Sequence, residues 1–338
     1  MTSPRLNVAT IVVTYGHRWR YLKQVLAELC RHDSSVHDVV IVDNASAGLH
    51  LTEIGSDTSL RFHIVRLPDN MGSAKGFKVG IEAASTQTDA ELYWLLDDDN
   101  LPEPHCLERL LSSYDTLGAL PSNVLLALRP DRREYVEASR GERVVRIQPN
   151  SFMGLHLNKI ASRVGLHRPF ERPKEDLIPV GHAPYGGLLF HRTWVDRIGL
   201  PDEEYYLYAD DFEFTSRITR NGGTILLCPA ARIRDLETSW HLTQRPRFHW
   251  MAPDLDSTRV YYSMRNRVHL ERTRFVSSNA IYAANAATFI LLRLWCGAIY
   301  HIVRSGRPGQ VISRTRLLMR AICDGWIGRL GRAVLNRP

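Results

Sequence analysis

The chain has 338 residues, 44% hydrophobic and 23% charged, an ordinary globular balance with enough length for one large α/β domain, a sizeable core and an appendage. Its five cysteines (Cys30, Cys106, Cys228, Cys296, Cys323) show no CxxC pairing and no Cys/His cluster with ligand spacing, which argues against a zinc site and for buried free thiols in a reducing compartment. The net charge of +7 is unevenly spread: Arg259 to Pro338 holds 14 arginines, no lysine and two acids (Glu271, Asp324), a net +12 against −5 for the first 258 residues, so an anionic partner is expected for the tail.

Leu6 to Tyr15 is apolar but short, without a basic leader or a small-residue cleavage site, and reads as a first strand rather than a targeting signal. Within it Val8 to Thr14 (VATIVVT) is a β-branched run suited to a buried strand. Trp19 to Cys30 has helical spacing of Leu22, Val25, Leu26 and Leu29. Val39 to Val42 and Phe62 to Leu67 are the next strands, Ser73 to Ser85 is a helix after a glycine-bearing turn, Leu92 to Leu96 is a fourth strand, and a helix begins over Glu103 to Leu111. Strands alternating with helices imply a mostly parallel sheet, with ligands at the carboxyl ends of its strands. Arg129 to Glu175 is polar and irregular, and long loops with an edge hairpin are expected there. Order returns with the apolar GGLLF, a helix near Arg192 to Ile198, a helix from Asp211 to Asn221 stopped by Gly222-Gly223, and a strand over Thr224 to Cys228. In the tail, Arg259 to Arg274 is rich in aromatics and arginine, Ile281 to Val303 is mainly apolar with Arg293 in its middle, and Ile312 to Gly331 is helical with interleaved arginines.

Three consecutive carboxylates, Asp97-Asp98-Asp99, directly follow a buried strand. Such a run is unfavourable unless neutralised, and a hard divalent cation such as Mg²⁺ or Mn²⁺ would do so; a solvated acidic turn is the plainer alternative. Asp97 and Asp99 are two apart, so in an extended segment they would share a side. A second acidic pair, Asp210-Asp211, follows YYLYA and opens a helix, where one carboxylate fits a general base or simply complements the helix dipole. His241 becomes a metal-ligand candidate only beside the Asp97/Asp99 site. Asp69 to Gly76 (DNMGSAKG) precedes a helix and offers backbone N–H groups and a lysine to a phosphate, without matching the P-loop or the dinucleotide fingerprint. Gly186-Gly187 suggests a close backbone approach to a ligand, or a simple turn.

In their order, VATIVVTYGHR, VVIVDNAS, DNMGSAKGF, YWLLDDDNLPEP, GGLLFHR, RIGLPDEEYYLYADDFEFTSRI, TSWH and YYSMRNR resemble family-two glycosyltransferases, and within them bacterial galactofuranosyl- and rhamnosyl-transferases, over roughly residues 8 to 270. The resemblance implies a GT-A fold: a Rossmann-like mixed α/β sheet flanked by helices, here a catalytic domain over 1–258 with a basic helical C-terminal extension over 259–338. It implies a donor pocket lined by Thr14, Tyr15, Arg18, Asp43, Asn70, Lys75 and Asp98. It implies Asp97, Asp99 and His241 as ligands of Mn²⁺ or Mg²⁺, and Asp211 as catalytic base. Gly186, Gly187, Asp210, Trp240, Arg265 and Asn266 fall at the acceptor side or on a closing loop. Lys75-Gly76 stands where relatives often carry Gly-Gly, which puts the shape of the donor pocket in question. Asp210 replaces a frequent Glu.

The expected reaction is an inverting transfer from a nucleotide-diphospho-sugar (UDP-galactofuranose, dTDP-rhamnose or a UDP-hexose) to a hydroxyl of a glycan, polyprenyl-diphosphate-linked in view of the tail. A single base suffices for one in-line displacement. The competing classes are a nucleotidyltransferase making nucleotide-sugars, disfavoured by the single glycine in the first turn, and a non-catalytic glycan- or lipid-binding scaffold. No nucleic-acid-binding module accompanies the basic tail, so no nucleic acid is expected. Arginines flanking the apolar faces of Ile281 to Val303 and Ile312 to Gly331 suggest helices lying in an anionic membrane surface, on the cytoplasmic face, with helix packing or a homo-oligomer contact as the alternative.

Overall fold

The computed structural model describes residues 6–31, 36–49, 60–157, 177–237, 248–252 and 255–335. They divide into two compact units. The first comprises Met1–Arg146, Phe170–Glu203 and Asp211–Ser239; the second comprises Ile147–Pro169, Glu204–Asp210 and Trp240–Pro338.

The first unit is built on a nine-stranded sheet. Its strands are β1 (Val8–Gly16), β2 (Val36–Ser46), β3 (Arg61–Leu67), β4 (Leu92–Asp97), β5 (Asn100–Pro102), β6 (Asn123–Leu128), β7 (Ile178–Val180), β8 (Leu188–His191) and β9 (Thr224–Asp235). The order is β3-β2-β1-β4-β8-β6-β9-β5, with β7 also on β9. From β3 to β4 the strands are parallel, as expected for a Rossmann-like half. Beyond β4 the sheet is mixed: β8 runs antiparallel to both β4 and β6, while β6 and β9 are parallel. This is a mixed sheet, as the sequence resemblance implies. The carboxyl ends of β1, β2, β4, β6 and β9 therefore share one edge of the sheet.

Period-two alternation fixes what each face buries. Ala9, Ile11 and Val13 of β1 point into one core with Phe77 and Ile81 of α2 (Gly72–Gln87). Val8 and Val12 point into the other with Leu22, Val25, Leu26 and Leu29 of α1 (Trp19–Arg31) and Leu110 of α3 (Cys106–Thr116). Because Gly76 lacks a side chain, α2 lies directly on β1: a Cβ there would stand 2.6 Å from Val13 Cγ1. Three further helices among the described residues are α4 (Arg133–Ser139), α5 (Thr193–Ile198) and α6 (Asp210–Arg220). The helix α4 falls in the stretch expected to be irregular, and of the hairpin expected there residues 158–176 lie outside the described residues. Cys106 and Cys228 are buried free thiols as expected, but Cys296 and Cys323 are exposed, standing on outward faces of tail helices.

The second unit is helical: α7 (Ser257–Arg274), α8 (Asn279–Phe289), a π-helical segment Ile290–Trp295, α9 (Cys296–Ser305) and α10 (Pro308–Ile327). Its core gathers Val260, Tyr261, Met264 and Val268 with Tyr282, Phe289, Leu294, Leu318 and Ile322. This unit is larger than the basic tail alone. The segment around Asn150 belongs to it because Asn150 Oδ1 accepts from the N–H groups of Ser277 and Ser278, both at 2.8 Å, while its carbonyl accepts from Asn285 Nδ2 at 2.8 Å. The turn at 204–210 belongs to it because Asn266 Nδ2 donates to the carbonyls of Tyr205, Leu207 and Tyr208 at 2.7–2.8 Å.

The crossing of α7 and α10 is closed by Gly325, whose Cβ, if present, would lie 2.2 Å from the Arg265 carbonyl oxygen. Backbone cannot yield as a flexible side chain does. We expect Gly325→Ala to lower stability by about 1–3 kcal/mol or more in chemical denaturation. Gly309→Ala on the same helix, where nothing lies within 4 Å, serves as the neutral control.

Candidate active site

The acidic run closes β4. Asp97 is its last residue, and Asp98 and Asp99 form the turn into β5. The run is thus a tight turn rather than the extended segment expected from its spacing. Asn100 sets that geometry: its Oδ1 accepts from the Asp97 N–H at 3.0 Å, and its Nδ2 donates to Asp235 Oδ1 at 3.1 Å.

The first strand–helix turn clamps the other side. Thr14 Oγ1 donates to Asp98 Oδ2 at 2.8 Å, Arg18 Nε donates to Asp98 Oδ1 at 2.7 Å, and Arg18 Nη2 stands 2.9 Å from Asp99 Oδ2. Arg18 also pairs with Glu237 and lies over the ring of Tyr15. Thr14, Arg18 and Asp98, expected as donor contacts, therefore spend their polar atoms on fixing this turn. Burial pushes the Asp98 carboxyl up to about 6 against the pull of Arg18. Burial and then the Asp97 charge push Asp99 up to about 7. Asp97 is also shifted upward, by burial and by the Asp235 charge, with Arg129 opposing. It sits deep among protein atoms, yet 42% of its side-chain surface is open, so water softens the crowding.

Two arginines and one acid absent from the sequence reading complete the cluster. Arg129 follows β6 directly, is buried, and grips Asp235 at the end of β9 in a fork, Nε to Oδ1 at 2.9 Å and Nη2 to Oδ2 at 2.7 Å. Its Nη1 reaches to 3.7 Å from Asp97 Oδ2. Arg132 Nη2 stands 3.9 Å from Asp235, and its buried Nε has no hydrogen-bond partner among the described residues. Gly186 lets the backbone pass this knot: a Cβ there would lie 2.0 Å from Asn100 Oδ1 and 2.7 Å from Arg129 Nη1. Gly187 has φ +95 and packs against Ala127 and Ile233. The close approach read from Gly186-Gly187 is thus made to the acidic turn.

Asp211 is the second residue of α6. It is half-buried whereas Asp210 is buried. Asp211 Oδ1 accepts from the Phe212 N–H at 2.8 Å. Burial first, then the Asp97 charge, push it up to about 7 against that hydrogen bond and the charges of Arg132 and Arg129. The structure thus brings Asp97, Asp99 and Asp211 into one electrostatic cluster. On the far side, Asp43 pairs in register with Thr14, accepts from the Ser46 N–H at 2.7 Å and lies 3.8 Å from Arg66. Asn70 accepts from the Gly72 N–H at 3.0 Å, and Asn44 holds the same turn through the Met71 N–H at 2.8 Å. Lys75 and Lys78 both hold Glu203, each at 2.6 Å, which keeps its carboxyl below the usual range. Arg265 and Asn266 are buried in the second unit, holding the carbonyls of the 204–210 turn just ahead of Asp210 in the chain. Trp240 and His241 lie outside the described residues. Among the described residues no group of three or more His, Cys, Asp or Glu side chains is arranged to hold a metal ion. Asp97 and Asp99, the second raised by burial and then by the Asp97 charge, still make a donor set suited to a hard cation once a further ligand joins them.

The family model for glycosyl transferase family 2 matches residues 10–199. The chain belongs to that family. It is 25% identical over 268 residues to galactofuranosyltransferase GlfT1 of Mycolicibacterium smegmatis, covering 78% of this chain and 82% of the relative. Among solved structures, the mannosyltransferase PcManGT of Pyrobaculum calidifontis in complex with GDP-Man and Mn²⁺ superposes with a TM-score of 0.54 at 14% identity, over 96% of this chain and 88% of that one. S. aureus TarS 1-349 in complex with UDP-GlcNAc superposes with a TM-score of 0.51 at 16% identity, over 95% and 89%. GalNAc-T7 with UDP, GalNAc and Mn²⁺ gives 0.52 at 13% identity, and this chain covers only 54% of it. The chain is therefore a family-two glycosyltransferase of GT-A fold.

The Arg129–Asp235 fork is the buried pair on which this cluster rests. Removing Asp235 leaves the buried Arg129 guanidinium with the looser contact to Asp97 at 3.7 Å in place of its fork. We expect Asp235→Ala to lower the unfolding free energy by about 3–5 kcal/mol, read from urea denaturation. A loss below about 1 kcal/mol, the scale of a solvated pair, would contradict that assignment.

Proposed function

We propose that this glycosyltransferase moves a sugar from a nucleotide diphosphate to a glycan hydroxyl, with inversion at the anomeric carbon and with UDP-galactofuranose as the leading donor. The observation that carries the reading is the charge imbalance of the cleft. Asp97, Asp98, Asp99, Asp211 and Asp235 are grouped with the guanidinium groups of Arg18, Arg129 and Arg132. The raised carboxyls of Asp97, Asp98, Asp99 and Asp211 reflect burial first, and then neighbouring negative charge that the arginines only partly offset. A divalent cation, Mn²⁺ or Mg²⁺, held by Asp97, Asp99 and a third group for which His241 is the candidate, would complete the neutralisation. When bound it would offset the charge that develops on the departing diphosphate. The complexes of the superposable mannosyltransferase and GalNAc-T7 with Mn²⁺ support the choice of ion.

In the transfer the acceptor O–H proton passes to an Asp211 carboxylate oxygen. The acceptor oxygen forms the new bond to the anomeric carbon, and the bond from that carbon to the diphosphate oxygen breaks, releasing the nucleoside diphosphate. Lys75 and Lys78 are available to the phosphates by exchanging Glu203 for them. Galactofuranose is favoured over rhamnose or a hexopyranose by the likeness to the mycobacterial galactofuranosyltransferase. The acceptor is proposed to be a polyprenyl-diphosphate-linked glycan presented at the cytoplasmic face of the cell membrane, a reading supported by the basic tail and by free cysteines suited to a reducing compartment.

The test is release of UDP from UDP-galactofuranose in the presence of Mn²⁺, compared with UDP-hexoses and dTDP-rhamnose. Turnover should vanish in EDTA and return with Mn²⁺ or Mg²⁺. Full activity in chelator would remove the metal from the reading.

Asp211→Asn should keep donor affinity while lowering kcat by a factor on the order of 10²–10⁴. The base acts only when deprotonated, so wild-type kcat/KM should be fully developed above the Asp211 pKa and fall as the pH drops through about 7. The acid limb should be missing from the residual activity of Asp211→Asn. Normal turnover by that variant, with Asp210→Asn inactive instead, would move the base to Asp210.

A further inference from the structure

The second unit presents a long apolar helix face that none of its described residues covers. From Asn279 to Ser305 α8, the π-helical segment and α9 form one 27-residue helix, long and apolar enough to cross a membrane by length and composition. One side of it is spent on the unit's own core. Tyr282, Phe289 and Leu294 are buried there, and Asn285 is fully buried, donating to the Asn150 carbonyl and accepting from the Leu157 N–H. The other side is exposed. Leu291, Trp295, Ile299 and Val303 recur every fourth residue and are 60%, 58%, 62% and 81% exposed. Ile312 at the start of α10 is exposed as well.

The charges around this stripe have one sign. Arg293, Arg304, Arg307 and Arg316 are all exposed. Between Arg272 and Pro338 the only acid is Asp324. That acid is buried, accepts from the Tyr261 hydroxyl at 2.7 Å and pairs with Arg320 and Arg329. So among the described residues from Arg272 onward no exposed carboxylate balances the stripe.

We propose that this face is a membrane-docking surface that lies in the plane of an anionic bilayer, with Leu291, Trp295, Ile299 and Val303 in the headgroup–acyl boundary and Arg293, Arg304, Arg307 and Arg316 at the phosphates. A spanning orientation conflicts with the helix's buried side, because lipid would have to replace the core partners of Tyr282, Asn285 and Phe289. It would also carry Arg293 through the bilayer centre. A two-fold dimer through the same patch is disfavoured by charge: an isologous contact sets each patch against its copy, arginine facing arginine with no acid between. An anionic lipid surface supplies the missing sign, and a tryptophan beside aliphatics on an arginine-flanked helix is suited to the interface. The surface is independent of the donor and metal assignment.

The experiment is co-sedimentation of the full chain with vesicles of phosphatidylcholine alone and of phosphatidylcholine mixed with phosphatidylglycerol. The full chain should bind the mixed vesicles at least tenfold more tightly, and raised salt should weaken that binding, since screening acts on the arginine part. Trp295→Glu with Ile299→Glu, and separately Arg304→Glu with Arg307→Glu, should each reduce binding at least tenfold while the circular dichroism and thermal midpoint stay at wild-type values. All four positions are solvent-exposed, so folding is not expected to suffer. The proposal is overturned if the full chain ignores anionic vesicles or if both double variants bind like wild type. It is also overturned if binding resists salt and alkaline extraction, as for a spanning helix, or if the variants only convert a dimer to a monomer in sedimentation velocity.

Discussion

The cleft depends on holding a crowd of carboxylates at the edge of a hydrophobic sheet. Burying such charge is unfavourable unless counter-charges arrive at fixed positions, and the fold delivers them from distant parts of the chain. Arg18 comes from the first turn after β1 and holds Asp98 and Asp99. Arg129 comes from the end of β6 and holds Asp235 at the end of β9 while reaching toward Asp97. Asn100 bridges the two groups through Asp97 and Asp235. Gly186 has no side chain because Asn100 and Arg129 occupy the space one would need. Each half of the sheet thus supplies both signs: Arg18 and Asp97 to Asp99 come from the parallel half, Arg129 and Asp235 from the mixed half.

Three strands of the parallel half, β1, β2 and β4, were legible because their centres are buried on both faces and read as unbroken apolar runs. Val8 to Thr14, Val39 to Val42 and Leu92 to Leu96 all fall within observed strands. The acidic motif stood out because it ends such a run. The clamp was not legible. Arg129 and Asp235 are 106 positions apart and carry no local pattern. β6 (NVLLAL) is short and sits between a helix and a polar stretch, so period alone did not separate it from its neighbours. β9 was expected to stop at Cys228, before a proline. Pro229 has no N–H to give the ladder, and the pairing of β6 with β9 does slip there, from Cys228 opposite Ala127 to Arg232 opposite Leu128. The strand then resumes and carries Asp235 to the cleft. A local stop signal was real but was overridden by pairing on both sides of it.

The tail shows why a charge count is a weaker guide than the placement of the charges. Several of its arginines serve the unit's own backbone and acids. Arg265 donates to the carbonyls of Gly331 and Tyr205. Arg267 holds the buried Glu271, Arg314 donates to the Leu255 carbonyl, and Arg320 and Arg329 share Asp324. These groups replace lost hydration with hydrogen bonds inside the unit, which is what buried or half-buried charge requires. The exposed arginines are then a smaller set, and Arg293, Arg304, Arg307 and Arg316 stand in the same helical stretch, 279–327, as the exposed apolar residues. Evenly spread basic charge would act as a diffuse attraction, screened within about 8 Å at physiological salt. Charge set beside exposed leucine, isoleucine and tryptophan gives a face whose electrostatic and apolar parts act on the same surface. That coincidence, more than the net +12, is what distinguishes the tail from a merely basic appendage.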